Sequence, residues 1–225
     1  MTTVAVVGAD GAGKTTVTSR LTATSSVPIK VVYMGVNLEA SRVMLPTTRL
    51  MLWMKRRRGR RVDMVGTAPT RSDSPPRRRR LVRSVAETVR MTNWMAEEWF
   101  RQVVVWWHLG RGRVVVFDRH FLADYHAHDV VGPARGRPLI GRVHGWMLRH
   151  LYPRPDLVIV LDAPAELLYA RKPESTIEFL TARRQEYLDL ANHVPRLEVV
   201  DATQPLDAVV DRIAALIVEA SRSNS

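Results

Sequence analysis

Cysteine is absent from the 225 residues, which excludes disulfides, thiolate metal sites and cysteine nucleophiles and leaves oxygen and imidazole as the available metal ligands. Such a composition fits a reducing compartment. Long hydrophobic runs are missing too. Nothing approaches the ~18 consecutive apolar residues of a membrane-crossing helix, and Val4 to Val7 is too short, and too soon followed by glycines, to serve as a signal peptide. A cytoplasmic location is therefore the expectation. Acidic residues are outnumbered, 22 against 34 Lys and Arg, for a net charge of +12. The excess is local: Lys55-Arg56-Arg57-Arg58-Gly59-Arg60-Arg61 carries six positive charges and Arg77 to Arg80 four, together ten of the twelve. Neither run has the interleaved aromatics of a base reader, so no specific nucleic-acid partner is expected. Weak contact with an anionic surface stays open for them, beside the plainer reading of a solvated segment.

What is present is a series of short β-branched runs closed by turn residues. Val4 to Val7, Ile29 to Met34, Val114 to Phe117, Leu157 to Leu161 and the weaker Leu197 to Val200 are each apolar without alternation, as strands buried on both faces of a parallel sheet would be. Helical stretches separate them, from about Lys14, from Leu81 to Leu109 with apolar residues every three to five positions, and from about Pro205 to Ala220. The fold class expected is α/β: an open five-stranded parallel sheet with helices on both faces, in a single domain over 1–225. Its one interruption is a basic insertion at about 55–80, whose Gly, Ser, Pro and Arg content from Asp63 to Pro76 allows disorder.

Gly8-Ala9-Asp10-Gly11-Ala12-Gly13-Lys14-Thr15 fits G-x-x-x-x-G-K-[ST] and sits between an expected strand and an expected helix, the context that this pattern requires. Four fixed positions match by chance in a chain of this length roughly once in a hundred cases. Glycines let successive backbone N–H groups turn around phosphates, and the following helix adds its dipole. Lys14 would then counter the β- and γ-phosphates of ATP, and the hydroxyl of Thr15, followed by Thr16, would ligate Mg²⁺. The fold implied is that of a P-loop NTPase, nucleotide-kinase-like.

Asp118-Arg119 closes the third run, at the carboxyl end of a strand, where open parallel sheets gather ligands. Asp118 would hold Mg²⁺ or accept a proton from an attacking hydroxyl. Arg119 would clamp the acceptor or the moving phosphoryl group. A strand-end salt bridge is the ordinary alternative.

These stretches, with Phe117-Asp118-Arg119-His120 and Pro155-Asp156-Leu157 through Asp162-Ala163-Pro164, resemble the thymidylate kinase-like family. The likeness continues in Ala170-Arg171-Lys172-Pro173-Glu174, in Arg183-Arg184-Gln185-Glu186-Tyr187 and in Val199-Val200-Asp201-Ala202-Thr203. It covers 1–24 and about 113–218. The resemblance implies an ATP- and Mg²⁺-dependent kinase in which Arg119 faces an acceptor phosphate and Asp10 approaches an acceptor hydroxyl. It also implies that Arg171 or Arg183 closes as a lid arginine, and that Asp201, Ala202 and Thr203 border the adenine. Where the family carries Arg-Glu-Pro-Gly-Gly, this chain reads Tyr33-Met34-Gly35-Val36-Asn37, which points away from thymidine monophosphate. The acceptor expected is a nucleoside monophosphate, a nucleoside or a related small molecule. The alternatives are a sugar or lipid-linked acceptor, or a non-catalytic ATP-binding accessory role in a polysaccharide pathway.

Other signals carry less. His120, His126 and His128 with Asp124 and Asp129 could suggest a transition metal, but no His-x-x-x-His spacing supports zinc, and a polar loop beside an acceptor explains them equally well. Asp124 or His120 is expected to touch the acceptor. Trp94, Trp99, Trp106 and Trp107 share the long helix, with core packing as the default. Adjacent Trp106 and Trp107 cannot face one way, so one of them is expected on a second surface, such as the face of a homodimer.

Overall fold

The computed structural model describes residues 1–35, 43–57, 77–120 and 139–223. Five strands, β1 (Thr3–Val7), β2 (Ile29–Met34), β3 (Val114–His120), β4 (Leu157–Asp162) and β5 (Leu197–Asp201), form one sheet in the order β2-β3-β1-β4-β5. Every pairing is parallel. All carboxyl ends therefore lie along one edge. The three central strands are buried nearly throughout, which is why they read as unbroken apolar runs. β5, on the outside, is only partly buried and reads more weakly.

Alternate residues of β1 enter different layers. Val4 and Val6 pack with Val17 and Leu21 of α1 (Lys14–Thr24), and with Val209, Ile213 and Ile217 of the carboxyl-terminal helix Leu206–Ser223. Ala5 and Val7 pack on the other face with Val105 and Leu109 of the long helix Arg77–Leu109 and with Tyr152. Helices thus cover both faces. Each fully buried Leu, Ile or Val in these layers contributes about 1.5–3 kcal/mol of transfer free energy.

In chain order the remaining described helices are α2 (Pro46–Arg57), α3 (Arg77–Leu109), α4 (Leu139–His150), α5 (Ala165–Arg171), α6 (Ile177–Leu188) and α7 (Leu206–Ser223). Among the described residues none is long and apolar enough to cross a membrane. α3 ends at a glycine, with the Gly110 amide donating to the Trp106 carbonyl and Gly112 turning the chain at a φ of 69°.

Of the basic stretch at about 55–80, Lys55 to Arg57 complete α2 and Arg77 to Arg80 open α3; residues 58–76, with the run from Asp63 to Pro76, lie outside the described residues. Arg and Lys are good helix formers, so a charge run alone does not break a helix. The tryptophans divide: Trp94 and Trp99 are partly buried, Trp99 against the α3-side layer, whereas both Trp106 and Trp107 are half-exposed. At that level Val105 and Leu109 already fill the inward face of α3. The Arg111 guanidinium covers Trp107, 3.6 Å above its ring.

α3 carries a buried polar seam that joins it to its neighbours. The Thr48 hydroxyl and the Leu45 amide donate to Glu97 Oε2 at 2.8 and 3.0 Å, which seats α2. The Tyr152 hydroxyl donates to Glu98 Oε2 at 2.7 Å, and His144 of α4 lies 3.1 Å from the same oxygen. Burial and the Glu98 charge push the Tyr152 phenol well above its ordinary pKa, so it stays a donor.

Candidate functional site

The segment Gly8–Thr16 leaves the carboxyl end of β1 and runs into α1. Its turns need backbone that only glycine adopts cheaply: Gly11 has a φ of 88° and Gly13 of 87°. A Cβ on Gly11 would stand 2.4 Å from the Leu168 carbonyl oxygen of α5, whereas one on Gly13 would meet nothing within 4 Å among the described residues. The loop is therefore pressed against α5 at one glycine and open at the other. Gly11→Ala should cost about 3–5 kcal/mol, strain plus a backbone clash, and Gly13→Ala about 1–2 kcal/mol of strain alone. Denaturant unfolding of the two variants checks the order. Equal losses would mean that the loop is not held as described.

Lys14, the first residue of α1, is buried and turns back across the loop. Its Nζ donates to the carbonyls of Gly8 at 2.7 Å and Ala9 at 2.8 Å, and stands 4.0 Å from Asp10 Oδ1. Among the described residues no side chain caps α1, whose N-cap is Gly13. An ammonium beside an uncapped helix start can take an oxyanion.

β3 supplies the facing groups, because it is hydrogen-bonded to β1 with Val6 opposite Asp118. β3 runs on to His120, past its apolar run, since β2 continues the ladder to a Met34–His120 pair after a register shift. Asp118 is only 8% exposed. Its Oδ2 accepts from the Thr15 hydroxyl at 3.3 Å, and its Oδ1 has no hydrogen-bond partner among the described residues. Burial raises the Asp118 pKa above the ordinary carboxyl value, against the opposing pull of Thr15, Arg119 and Lys14. One oxygen of a buried carboxylate left over beside a hydroxyl is a donor set that suits Mg²⁺, which takes hard oxygens and needs few of them from the protein. No group of three or more His, Asp or Glu side chains placed to hold a metal occurs among the described residues.

Arg119 has a φ of 65°, the one positive value at a non-glycine residue among those described, at a cost of about 1–2 kcal/mol. The strained backbone aims its side chain at the loop, where NH2 donates to Asp10 Oδ1 at 2.9 Å. Gly35 makes room for it: a Cβ there would be 3.0 Å from Arg119 Cδ and 2.6 Å from the Tyr33 hydroxyl. Burial raises the Asp10 pKa, but the charges of Lys14, Arg119 and Lys172 together outweigh it and the net shift is downward. Asp10 is held ionised.

The later stretches divide. Arg171, the last residue of α5, donates to the Ala202 carbonyl at 2.9 Å. Arg183 pairs with Glu186 at 2.6 Å and lies 5.0 Å over the Tyr187 ring. Arg184 grips both oxygens of Asp162 at 2.8 Å. Asp201 accepts from the Thr203 amide at 2.8 Å and from Gln204, a turn at the same sheet edge as the glycine loop, and the Ala202 amide donates to the Asp162 carbonyl. His120 is buried, lines a small cavity with Ala5, Val7, Val158 and Leu190, and is kept neutral by burial, which lowers its pKa to about 3. Asp124, His126, His128 and Asp129 lie outside the described residues.

Sequence reasoning missed three members. Lys172 neighbours the arginine that was singled out, and its charge reaches Asp10. Gly35 admits the Arg119 stem. Arg101 donates to the Gly35 carbonyl at 3.2 Å from within α3, where its spacing from Glu97 by one helical turn was the available signal. No protein-family model matches the chain.

Proposed function

We propose that this protein is an ATP-dependent phosphotransferase, a P-loop kinase of the thymidylate kinase-like kind, acting on a nucleoside monophosphate, a nucleoside or a related small acceptor. The observation that carries the reading is the meeting of Lys14 and Thr15, at the end of a glycine loop, with a buried Asp118 that keeps one oxygen unpartnered among the described residues. A charge run or a structural ion pair does not require that combination.

The chemistry follows from position and charge. The loop amides and the start of α1 take the β- and γ-phosphates, and Lys14 shifts from the Gly8 and Ala9 carbonyls toward the phosphate oxygens. Thr15 and Asp118 would hold Mg²⁺, which supplies charge neutralisation across the phosphates when bound. The bond from the γ-phosphorus to the bridging oxygen breaks as the acceptor oxygen bonds to that phosphorus. ADP leaves with the electron pair, and a hydroxyl acceptor gives up its proton. Arg119, held by Asp10 at 2.9 Å, is placed to bear on acceptor or transferring phosphate from the β3 side.

The test is transfer of label from γ-labelled ATP, with magnesium, to a panel of nucleosides, nucleoside monophosphates, sugars and lipid-linked sugars, with Lys14→Ala as the blank. A labelled nucleoside or nucleotide product is the expected result. Failure of the folded protein to bind any purine triphosphate in calorimetry would remove the proposal.

A further inference from the structure

α2 has two faces with different fates. Thr48 is buried and bonded to Glu97 and Asn93 of α3, so that side of the helix is the docked one. Leu50, Trp53 and Met54 are exposed by 55%, 49% and 42%. They fall at i, i+3 and i+4, one stripe on roughly the opposite side from Thr48. Arg57 continues the stripe by one turn, and its guanidinium lies 4.0 Å over the Trp53 ring. The sequence then adds Arg58, Arg60 and Arg61 to Lys55, Arg56 and Arg57.

We propose that α2 is an interfacial helix that docks the protein on an anionic membrane surface. Three large apolar side chains in one outward stripe keep about half of their surface in water, and the boundary of a bilayer takes that remainder. Leu and Met enter the acyl region, and Trp rests at headgroup depth. The Arg57 stem follows the same surface while its charged end meets lipid phosphates. Twelve residues make a helix of about 18 Å, too short to span a bilayer and suited to lying in its plane.

Charge selects this occupant. A second copy would bring its own six positive charges against the first. A nucleic acid would satisfy the arginines but leave Leu50 and Met54 in water. An anionic lipid surface answers both the charge and the apolar stripe, and neither half of the device suffices alone. The proposal does not depend on phosphoryl transfer.

The experiment is co-sedimentation of the full chain with vesicles of phosphatidylcholine alone and of phosphatidylcholine mixed with phosphatidylglycerol, over a range of salt. The wild type should bind the mixed vesicles, and pure phosphatidylcholine about tenfold or more weakly. The triple variant Leu50→Ser, Trp53→Ser, Met54→Ser should lose about tenfold or more of the binding with Tm unchanged, and Trp53→Ala alone a smaller share. No binding to anionic vesicles overturns the proposal. So does binding that the serine variant leaves intact, since the arginines alone would then be gripping a polyanion. A chain whose mass doubles in solution, and which the same variant returns to monomer without affecting sedimentation with vesicles, would assign the stripe to a second copy instead.

Discussion

Lys14→Ala should reduce phosphoryl transfer by about 10²–10³-fold or more, because it removes the one loop cation placed to meet charge on the triphosphate during transfer. The fold pays less. The ammonium donates to the Gly8 and Ala9 carbonyls, so its loss leaves two loop acceptors without their donor, at about 1–3 kcal/mol. It also withdraws one of the charges that keep Asp10 ionised. Lys14→Met, which keeps most of the volume but has no donor, should lose about the same 1–3 kcal/mol, and turnover should fall with it even in the fraction that stays folded. Label transfer beside denaturant unfolding provides both readouts. Turnover within tenfold of wild type in a folded Lys14→Met protein would sink the role given to this lysine.

Asp118→Asn should lower turnover by a similar factor while leaving the metal-free protein as stable as wild type, or more so. Activity and stability move apart because burial raises the pKa of this carboxyl group. The folded state then binds its proton to a higher pH than the unfolded chain does. As pH rises from the ordinary value of 3.8 through the raised one, this group subtracts from stability, and the loss persists at neutral pH. Asparagine keeps the shape without the buried charge. Asp10 has the opposite sign: its lowered pKa contributes stability above 3.8 that is lost as pH falls through the folded value. Thermal unfolding at several pH values, with and without magnesium and ATP, reads both. Wild type should gain Tm from magnesium with ATP, and Asp118→Asn should gain far less. A metal-free variant clearly less stable than wild type at neutral pH would show Asp118 to be a structural ion-pair partner.

The strands were legible because a parallel strand covered on both faces must be apolar at every position, and Val4 to Val7 and Leu157 to Leu161 are. The glycine loop was legible for a local reason as well, since backbone at a φ near 88° selects glycine. Of Trp106 and Trp107 one was expected outward and both are half-exposed, because the last turns of α3 hold more apolar residues than one face can bury, and composition does not choose among them. The arginine runs were legible as charge but not as helix ends: Lys55 to Arg57 close α2 and Arg77 to Arg80 open α3, and charge by itself does not say where a helix begins or stops. Arg171 and Arg183 were singled out for their place in a stretch: the Arg183 pair with Glu186 follows from helical spacing, whereas the Arg171 bond to the Ala202 carbonyl needs the tertiary fold.

Near neighbours in the chain determined the five strands, the long helix and the turn of the glycine loop, because backbone preference and burial period act over a few residues. The meeting of Thr15 with Asp118, 103 residues apart, depended on β3 inserting beside β1. The Arg119 bridge to Asp10, the room that Gly35 makes for it and the outward stripe of α2 depended likewise on which elements became neighbours. Strand order and helix docking are settled by the free energy of the whole core, and no short stretch of residues carries that sum.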